Sequence, residues 1–134
     1  MKKFKVLLLA LIAAFALCLF AACNKNGGAV DPVVITANDE SFVYENKTLL
    51  DYMSYLQGKE ELSFTVDNGM VTSINGKSNT TNSYWMLYTS DTENANNDWG
   101  TYNYNGGIYG SATLGAGALT VKENCVYVWA YQTF

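Results

Sequence analysis

Apolar residues are distributed along the chain as one long uninterrupted segment at the start and a series of shorter segments after it. The long segment, Val6 to Phe20, comprises 15 residues and is preceded by Lys2, Lys3 and Lys5. A membrane-spanning helix needs roughly 20 apolar residues, so this segment is short for one. A positive start followed by an apolar run of this length is typical of a secretory signal peptide.

Small residues follow the apolar run at the position where a signal peptidase cleaves. Ala21 and Ala22 directly precede Cys23, and this arrangement resembles the lipobox of bacterial lipoproteins. The resemblance implies that residues 1–22 are a lipoprotein signal peptide and that Cys23 carries a diacylglycerol, which anchors the chain outside the cell membrane. Acyl chains contribute about 0.8 kcal/mol per buried methylene, so the anchor would hold firmly. The alternative is an ordinary cleaved signal, in which Cys23 has no special role.

The segment after the predicted lipidation site differs in composition from the rest of the chain. Residues 23–31 are largely polar and contain two consecutive glycines, which predicts a flexible tether between the membrane and a folded domain. The remaining residues, 32–134, match the length of one ordinary domain and suffice for a hydrophobic core.

The first part of this domain changes from a strand pattern to a helix pattern. Val33–Thr36 and Ser41–Tyr44 are β-branched and aromatic runs, which predicts two strands joined by a turn. From Thr48 onward, apolar residues recur at helical spacing up to Leu56. Thr48 is a suitable N-cap and Gly58 a suitable end, so the pattern predicts one short amphipathic helix.

The middle of the domain has the pattern of a hairpin followed by a buried strand. Leu62–Asp67 and Met70–Ile74 both alternate apolar and polar residues, and Asn68-Gly69 between them is typical of a tight turn. Asn75-Gly76 ends the returning strand. In Tyr84–Tyr88, neither of the two sets of alternate residues is polar, which predicts a strand that is covered on both faces.

The last part of the domain is rich in aromatic residues. Residues 91–117 contain many Asn, Gly and Thr residues and few aliphatic ones, and they predict either a long loop or a pair of irregular strands. A final strand is predicted over Cys125–Tyr131, where Tyr127, Trp129 and Tyr131 alternate with aliphatic residues. These three aromatic side chains would share one face, which either packs under the helix or is offered to a partner.

The composition of the chain excludes further classes of function. The signal peptide contains three of the eight lysines, which leaves five lysines, no arginine and twelve acidic residues, a formal charge of −7. Such a surface would not attract nucleic acid. The chain has no histidine, so the usual general base and the usual zinc ligand are missing. We therefore expect neither an enzyme nor a metal site, and we expect Cys125 to be a buried apolar residue.

The order of four segments resembles a known family. These segments are the helix beginning Thr48-Leu49-Leu50-Asp51-Tyr52, the hairpin Met70–Gly76, the Tyr84-Trp85 strand and the terminal strand Val126–Tyr131. Together, over about residues 46–131, they resemble the transcobalamin C-terminal-like domain. That family includes the small domain that closes the corrinoid pocket of vitamin B12 carriers, and many bacterial surface lipoproteins. The carriers hold their ligand between this domain and a helical barrel, which this chain lacks.

The resemblance implies an α+β fold of β-grasp type, with one short helix packed on a twisted antiparallel sheet. It implies no bound cofactor, but it makes cobalamin a possible ligand. Tyrosine and tryptophan suit a flat, partly apolar molecule because they offer a large contact area at low entropic cost. The candidate ligand-binding residues are Tyr84, Trp85, Trp99, Tyr102, Tyr104, Tyr109 and Trp129.

Three functions are compatible with these features. The first is a lipid-anchored binding module that captures a small, corrinoid-like ligand and delivers it to a transporter. The second is a carbohydrate- or protein-docking module that uses the aromatic residues of segment 91–117 to contact an envelope component. The third is a structural accessory domain whose aromatic residues form its core.

Overall fold

The computed structural model describes residues 30–134, and residues 31–134 form one compact unit. The predicted signal peptide, the lipidated Cys23 and nearly all of the tether lie outside the described residues. The described elements are β1 (Val33–Thr36), α1 (Leu49–Gly58), β2 (Phe64–Asp67), β3 (Met70–Ile74), β4 (Lys77–Ser78), β5 (Ser83–Thr89), a short 3-10 helix (Thr92–Asn94), β6 (Ala95–Tyr104), β7 (Gly107–Ala112) and β8 (Val126–Thr133). The described fold is α+β and mostly antiparallel sheet.

The main sheet has five antiparallel strands in the order β1-β8-β5-β7-β6. Strands β5 and β8 lie at its centre and pair over seven residues, from Ser83 opposite Thr133 to Thr89 opposite Tyr127. Strand β1 extends the sheet on one side, with Ile35 opposite Tyr127. The central residues of β8 are buried on both faces of the sheet, as expected for strands with two apolar sides.

Helix α1 begins and ends where the sequence predicts. The Thr48 hydroxyl accepts a hydrogen bond from the backbone N–H of Asp51, and the Asp51 carboxylate accepts one from the N–H of Thr48. This reciprocal capping satisfies two N–H groups that the helix itself leaves free. Tyr52 and Met53 are buried, and the Tyr52 hydroxyl donates to the Thr36 carbonyl of β1 at 3.3 Å. The helix is thereby fastened beside the edge of the main sheet.

A small second sheet, β2-β3-β4, consists of the predicted hairpin and a two-residue extension. Asn68 and Gly69 have φ angles of 52° and 78°, as the tight turn between β2 and β3 requires. The loop after β4 contacts the main sheet, because the Asn79 side chain accepts a hydrogen bond from the Trp85 N–H at 2.9 Å. The Tyr131 hydroxyl also donates to the Ser78 carbonyl at 2.8 Å. The second sheet is thus held against β5 and β8.

The prediction of a strand over Ser41–Tyr44 is wrong. The segment is a turn in which Asp39 accepts a hydrogen bond from the Ser41 N–H at 2.9 Å. Phe42 packs edge-on against the Tyr52 ring at a centroid distance of 4.9 Å. The aromatic side chains here cover the helix. Their packing against α1 outweighs their preference for a strand and determines the local conformation.

Segment 91–117, for which the sequence left two possibilities, forms the pair of strands. Strands β6 and β7 make an antiparallel hairpin whose pairing is interrupted between Asn96 and Thr101. The turn uses Asn105 and Gly106, with φ angles of 46° and 79°. Among residues 30–134, no helix has the length and apolarity that a membrane span requires.

Candidate functional site

A cavity of about 450 Å³ lies between the second sheet, β5 and the segment after β7. Its lining includes Trp85 and Leu87 of β5 and Trp129 of the neighbouring β8. The register of the sheet explains this grouping, since Leu87 is directly opposite Trp129, and side chains alternate between the two faces of a strand. The three residues are all buried, and we refer to them as the cavity floor.

Trp85 is fixed in place by hydrogen bonds on both its backbone and its side chain. Its Nε1 donates to the Lys77 carbonyl at 2.8 Å, and its backbone N–H donates to the Asn79 side chain. Its ring meets Tyr131 edge-on at a centroid distance of 5.2 Å. A buried indole whose N–H has a partner is the usual case in folded proteins, so Trp85 is a rigid part of the floor.

Trp129 occupies a similar place on the floor but lacks such a partner. The residue is 5 % exposed, and its Nε1 is buried without a hydrogen-bond partner among the described residues. It is the one buried side-chain nitrogen or oxygen in residues 30–134 for which this holds. A buried N–H without a partner costs about 1–3 kcal/mol, so this donor is an exception that calls for a physical reason.

The mouth of the cavity is formed by exposed apolar side chains. Met70 at the start of β3 is 64 % exposed, and Leu114 in the loop after β7 is 45 % exposed. Tyr84, 39 % exposed, alternates along β5 with the floor residues Trp85 and Leu87, so its side chain lies on the other face of the strand. Phe134, 73 % exposed, lies beside Tyr84 at a ring distance of 6.1 Å. Exposed apolar residues that are grouped at a concavity are typical of ligand or partner sites.

The cavity is uncharged. None of the described residues that line it is an acid or a lysine. Its polar side chains include Asn79, whose amide nitrogen donates to the Val71 carbonyl and whose oxygen accepts from Trp85. The Thr113 hydroxyl donates to the Asn94 carbonyl at 3.3 Å. These groups maintain the structure of the walls, and the cavity can accommodate a neutral, mainly apolar molecule.

A second depression of about 460 Å³ beside β1 and α1 has a different character, because Asp39, Lys59 and Glu61 line it. Lys59 bonds to Asp39 at 2.8 Å and lies 3.4 Å from Glu61. The hydrogen bond from Lys59, together with those from Ser41 and Tyr55, lowers the pKa of Asp39 to about 2. The lysine is paired with both carboxylates at the surface, so we regard this depression as a structural feature.

Asp91, the buried acid among the described residues, is also paired. Burial alone would raise the pKa of Asp91, but hydrogen bonds from Asn94, Lys122 and the Glu93 N–H outweigh it and lower that pKa. Lys122 lies 3.0 Å from the Asp91 carboxylate. In the part of the chain that the structure describes, no group of three or more acidic or cysteine side chains could hold a metal ion.

The seven residues proposed from the sequence divide into two groups. Three of them, Tyr84, Trp85 and Trp129, line the cavity. The other four lie on the β6–β7 hairpin and are not part of the lining: they are Trp99, Tyr102, Tyr104 and Tyr109. The seven residues therefore do not form one binding surface, because Tyr102 and Tyr109 pack with Tyr88, which alternates along β5 with the floor residues.

The hairpin aromatics have two environments. Trp99 is 65 % exposed and lies at the pairing interruption of β6. Tyr102 is directly opposite Tyr109, and its ring lies 5.5 Å from that of Tyr88 on the other face of the main sheet. The tyrosines are half-buried there and cover the core around Tyr88 and Val128.

Two residues of the cavity mouth were not identified from the sequence. Met70 was assigned only to the hairpin, and Leu114 is an isolated aliphatic residue in a glycine-rich segment. Their exposure could be found only from the tertiary structure, since scattered surface apolar residues are common.

No family model matches the chain, and searches of curated proteins and of solved structures found no match either. The similarity to the transcobalamin C-terminal-like domain stays a prediction.

Proposed function

We propose that this protein is a non-catalytic binding module that is anchored by lipid on the outer side of the cell membrane and captures a small apolar ligand in the cavity above Trp85 and Trp129. The cavity itself is the observation that carries the proposal. Its volume of about 450 Å³ falls within the range of about 300–1,000 Å³ that is usual for ligand sites. Its aromatic floor and exposed apolar mouth suit the same purpose.

The anchor and the domain serve one function in this proposal. The signal segment and Cys23 would position the domain at the membrane surface, and the tether would allow it to reorient there. A module of this kind would deliver its ligand to a transporter in the same membrane. The single helix packed beside an antiparallel sheet is compatible with the β-grasp-like, transcobalamin C-terminal-like fold, which we retain as part of the proposal.

A corrinoid is the specific ligand that the resemblance implies. A corrinoid ring with its side arms is larger than the cavity, so only one edge or one amide arm would enter, and the rest would lie over Met70 and Leu114 at the mouth. Half of a two-domain clamp is expected to bind weakly, because the ligand stays largely exposed. Titration of the domain with cobalamin, followed by tryptophan fluorescence and corrinoid absorbance, tests this ligand.

The binding function is tested with a neutral fluorescent probe. Residues 31–134 form their own compact unit, so this segment is titrated with N-phenyl-1-naphthylamine, whose emission rises in apolar surroundings. Leu114→Asp is expected to weaken binding at least about tenfold, because a carboxylate beside a buried apolar ligand is costly to desolvate. Val43→Asp is the matched control, since Val43 is 70 % exposed and does not line the cavity.

The outcome of that titration decides the proposal. Saturable binding that Leu114→Asp weakens and Val43→Asp leaves unchanged supports it. Absence of saturable binding, or equal effects of the two variants, contradicts it and favours a structural accessory domain.

Exposure of Trp99 favours a second candidate function, docking to an envelope carbohydrate or protein. An indole that is 65 % exposed on edge strand β6 is free to stack on a sugar ring or to enter a partner's pocket. Sedimentation of the domain with peptidoglycan is expected to fall in Trp99→Ala if this function holds. Leu114→Asp is the control here, because it alters the cavity and leaves the hairpin unchanged.

A further inference from the structure

The chain enters the main sheet at a defined end. Strand β1 begins at Val33, opposite Trp129, and runs antiparallel to β8, which ends at Thr133. Strand β5 begins at Ser83, which is opposite Thr133. The chain therefore enters β1 from the side where β5 begins and β8 ends. We call this side of the sheet the tether end, because the predicted tether precedes β1.

Two exposed aromatic side chains lie together at the tether end. Tyr84 and Phe134 are 39 % and 73 % exposed, and their ring centroids are 6.1 Å apart. The Phe134 N–H donates to the Asn82 carbonyl at 2.8 Å. The Tyr84 hydroxyl donates to the Thr81 carbonyl at 2.7 Å. These bonds fix the pair to the loop before β5, so the tether end presents an ordered apolar surface to solvent.

The two ends of the sheet differ in charge. Around the aromatic pair, residues 79–84 and 132–134 contain no charged side chain. Asp31 precedes β1, and Lys77 lies near the pair's strands with its Nζ 5.1 Å from the centre of the Tyr131 ring. At the opposite end, Asp39 and Glu40 follow β1, Asp91 and Glu93 follow β5, and Glu123 precedes β8 beside the paired Lys122. Since charges are costly to bring into lipid, the tether end suits contact with a membrane and the acidic end does not.

The reach of the tether favours the same end. Residues 23–29 precede the described chain, and seven residues span at most about 25 Å when fully extended. A strand of eight residues such as β8 is itself about 27 Å long. Only the tether end therefore meets the membrane without a tether stretched along the whole sheet. Amphipathic aromatic rings are enriched where the headgroups of a bilayer meet its acyl chains.

We propose that the tether end is a second membrane contact, in which Tyr84 and Phe134 lie in the headgroup region of the bilayer and hold the anchored domain in one orientation. This inference rests on the proposed lipid anchor and adds the surface of the domain that faces the membrane. The acidic end then points away from the lipid. Because Trp85 of the cavity floor directly follows Tyr84 in β5, this orientation also places the cavity floor near the membrane.

The test uses an artificial anchor, so it does not depend on the lipidation of Cys23. Residues 24–134 with an N-terminal hexahistidine segment are held on phosphatidylcholine vesicles that contain a nickel-chelating lipid. A second set of vesicles contains phosphatidylcholine brominated near the headgroup end of its acyl chains, which quenches tryptophan on close approach. Trp99→Phe removes the exposed native tryptophan, and Phe134→Trp or Val43→Trp supplies the reporter, since Val43 is 70 % exposed in the turn after β1.

Bromination is expected to lower the emission of the Phe134→Trp reporter at least about twofold, as for a ring in the headgroup region. The Val43→Trp reporter is expected to stay unchanged. Adding Tyr84→Asp to the Phe134→Trp chain is expected to abolish the quenching, because a carboxylate opposes entry into lipid. Ile108→Asp is the matched control, since Ile108 is 68 % exposed on β7, and it is expected to retain the quenching. Urea unfolding verifies that each variant is folded.

The proposed anchor and the proposed cavity are measured separately. Mass spectrometry of the native protein shows whether Cys23 carries lipid, and titration with N-phenyl-1-naphthylamine without vesicles reports on the cavity. Two results of the quenching experiment overturn the inference itself. Equal quenching of the two reporters means that the domain has no preferred orientation. Stronger quenching of native Trp99, in the chain without other substitutions, than of the Phe134→Trp reporter means that the β6–β7 hairpin faces the membrane instead.

Discussion

Replacing each tryptophan by phenylalanine in turn should separate a satisfied buried N–H from an unsatisfied one. Trp85 and Trp129 are buried to nearly the same degree, at 6 % and 5 % exposure. Each substitution removes the same atoms, so the packing losses are similar and the difference between the two variants reports on the N–H groups. Trp99→Phe is the reference, because substitution of a 65 % exposed side chain should change stability by less than about 0.5 kcal/mol.

The magnitude of that difference follows from the hydrogen bonds. Trp85→Phe removes the 2.8 Å bond to the Lys77 carbonyl, which contributes about 1 kcal/mol net. Trp129→Phe removes a buried donor without a partner, which relieves a penalty of about 1–3 kcal/mol. We therefore expect Trp85→Phe to lower the free energy of unfolding by about 2–4 kcal/mol more than Trp129→Phe does.

Equilibrium unfolding in urea, followed by far-ultraviolet circular dichroism, measures this difference in the ligand-free domain. Circular dichroism is preferable to fluorescence here, because each variant changes the tryptophan emission itself. A difference below about 0.5 kcal/mol would refute the reasoning, since it would mean that the Trp129 N–H is as well satisfied as that of Trp85, for example by water.

Three further predictions concern the fold. Thr48→Ala should lower the free energy of unfolding by about 1 kcal/mol in urea, because it removes the helix N-cap. The folded-state pKa of Asp39 is about 2, below the ordinary 3.8, so its stabilising effect is complete above pH 3.8 and is lost as pH falls toward 2. Asp39→Asn should flatten the dependence of the urea midpoint on pH across that interval. Gly110→Ala should destabilise the domain, because a Cβ there would collide with the Asn97 side chain, whereas Gly115→Ala meets no neighbour within 4 Å and should be nearly neutral in thermal unfolding.

Local signals in the sequence were sufficient for the elements that local geometry determines. The helix boundaries follow from Thr48 and Gly58, and the hairpin follows from Asn68-Gly69, because these residues satisfy specific backbone requirements. The segment Ser41–Tyr44 is different, since its aromatic residues pack against Tyr52 instead of joining a sheet. That outcome depends on where α1 lies in the fold, and the strand propensity of a residue carries no information about that position.

The candidate site could be predicted only in part for a related reason. Tyr84, Trp85 and Trp129 were identified as candidate ligand contacts from their aromatic character, but their grouping depends on the pairing of β5 with β8. The hairpin aromatics are of the same residue types and lie elsewhere, because β6 and β7 follow β5 toward one edge of the sheet and Tyr102 and Tyr109 pack against the core around Tyr88. Strand order arises from contacts between residues that are distant in sequence, so composition alone did not separate the two groups.

The aromatic stripe of β8 illustrates how identical spacing leads to different roles. Tyr127, Trp129 and Tyr131 alternate along one face, and each has one polar atom on its ring. The Tyr127 hydroxyl accepts from the Lys122 N–H at 2.8 Å, and the Tyr131 hydroxyl donates to the Ser78 carbonyl at 2.8 Å. Those two partners come from the loop before β8 and from β4. Trp129 lies between them in the stripe and lines the cavity, and its Nε1 is buried without a partner among the described residues. Equal spacing along one face therefore does not decide whether the polar atom of a ring finds a partner, since that depends on which backbone segments the fold brings against it.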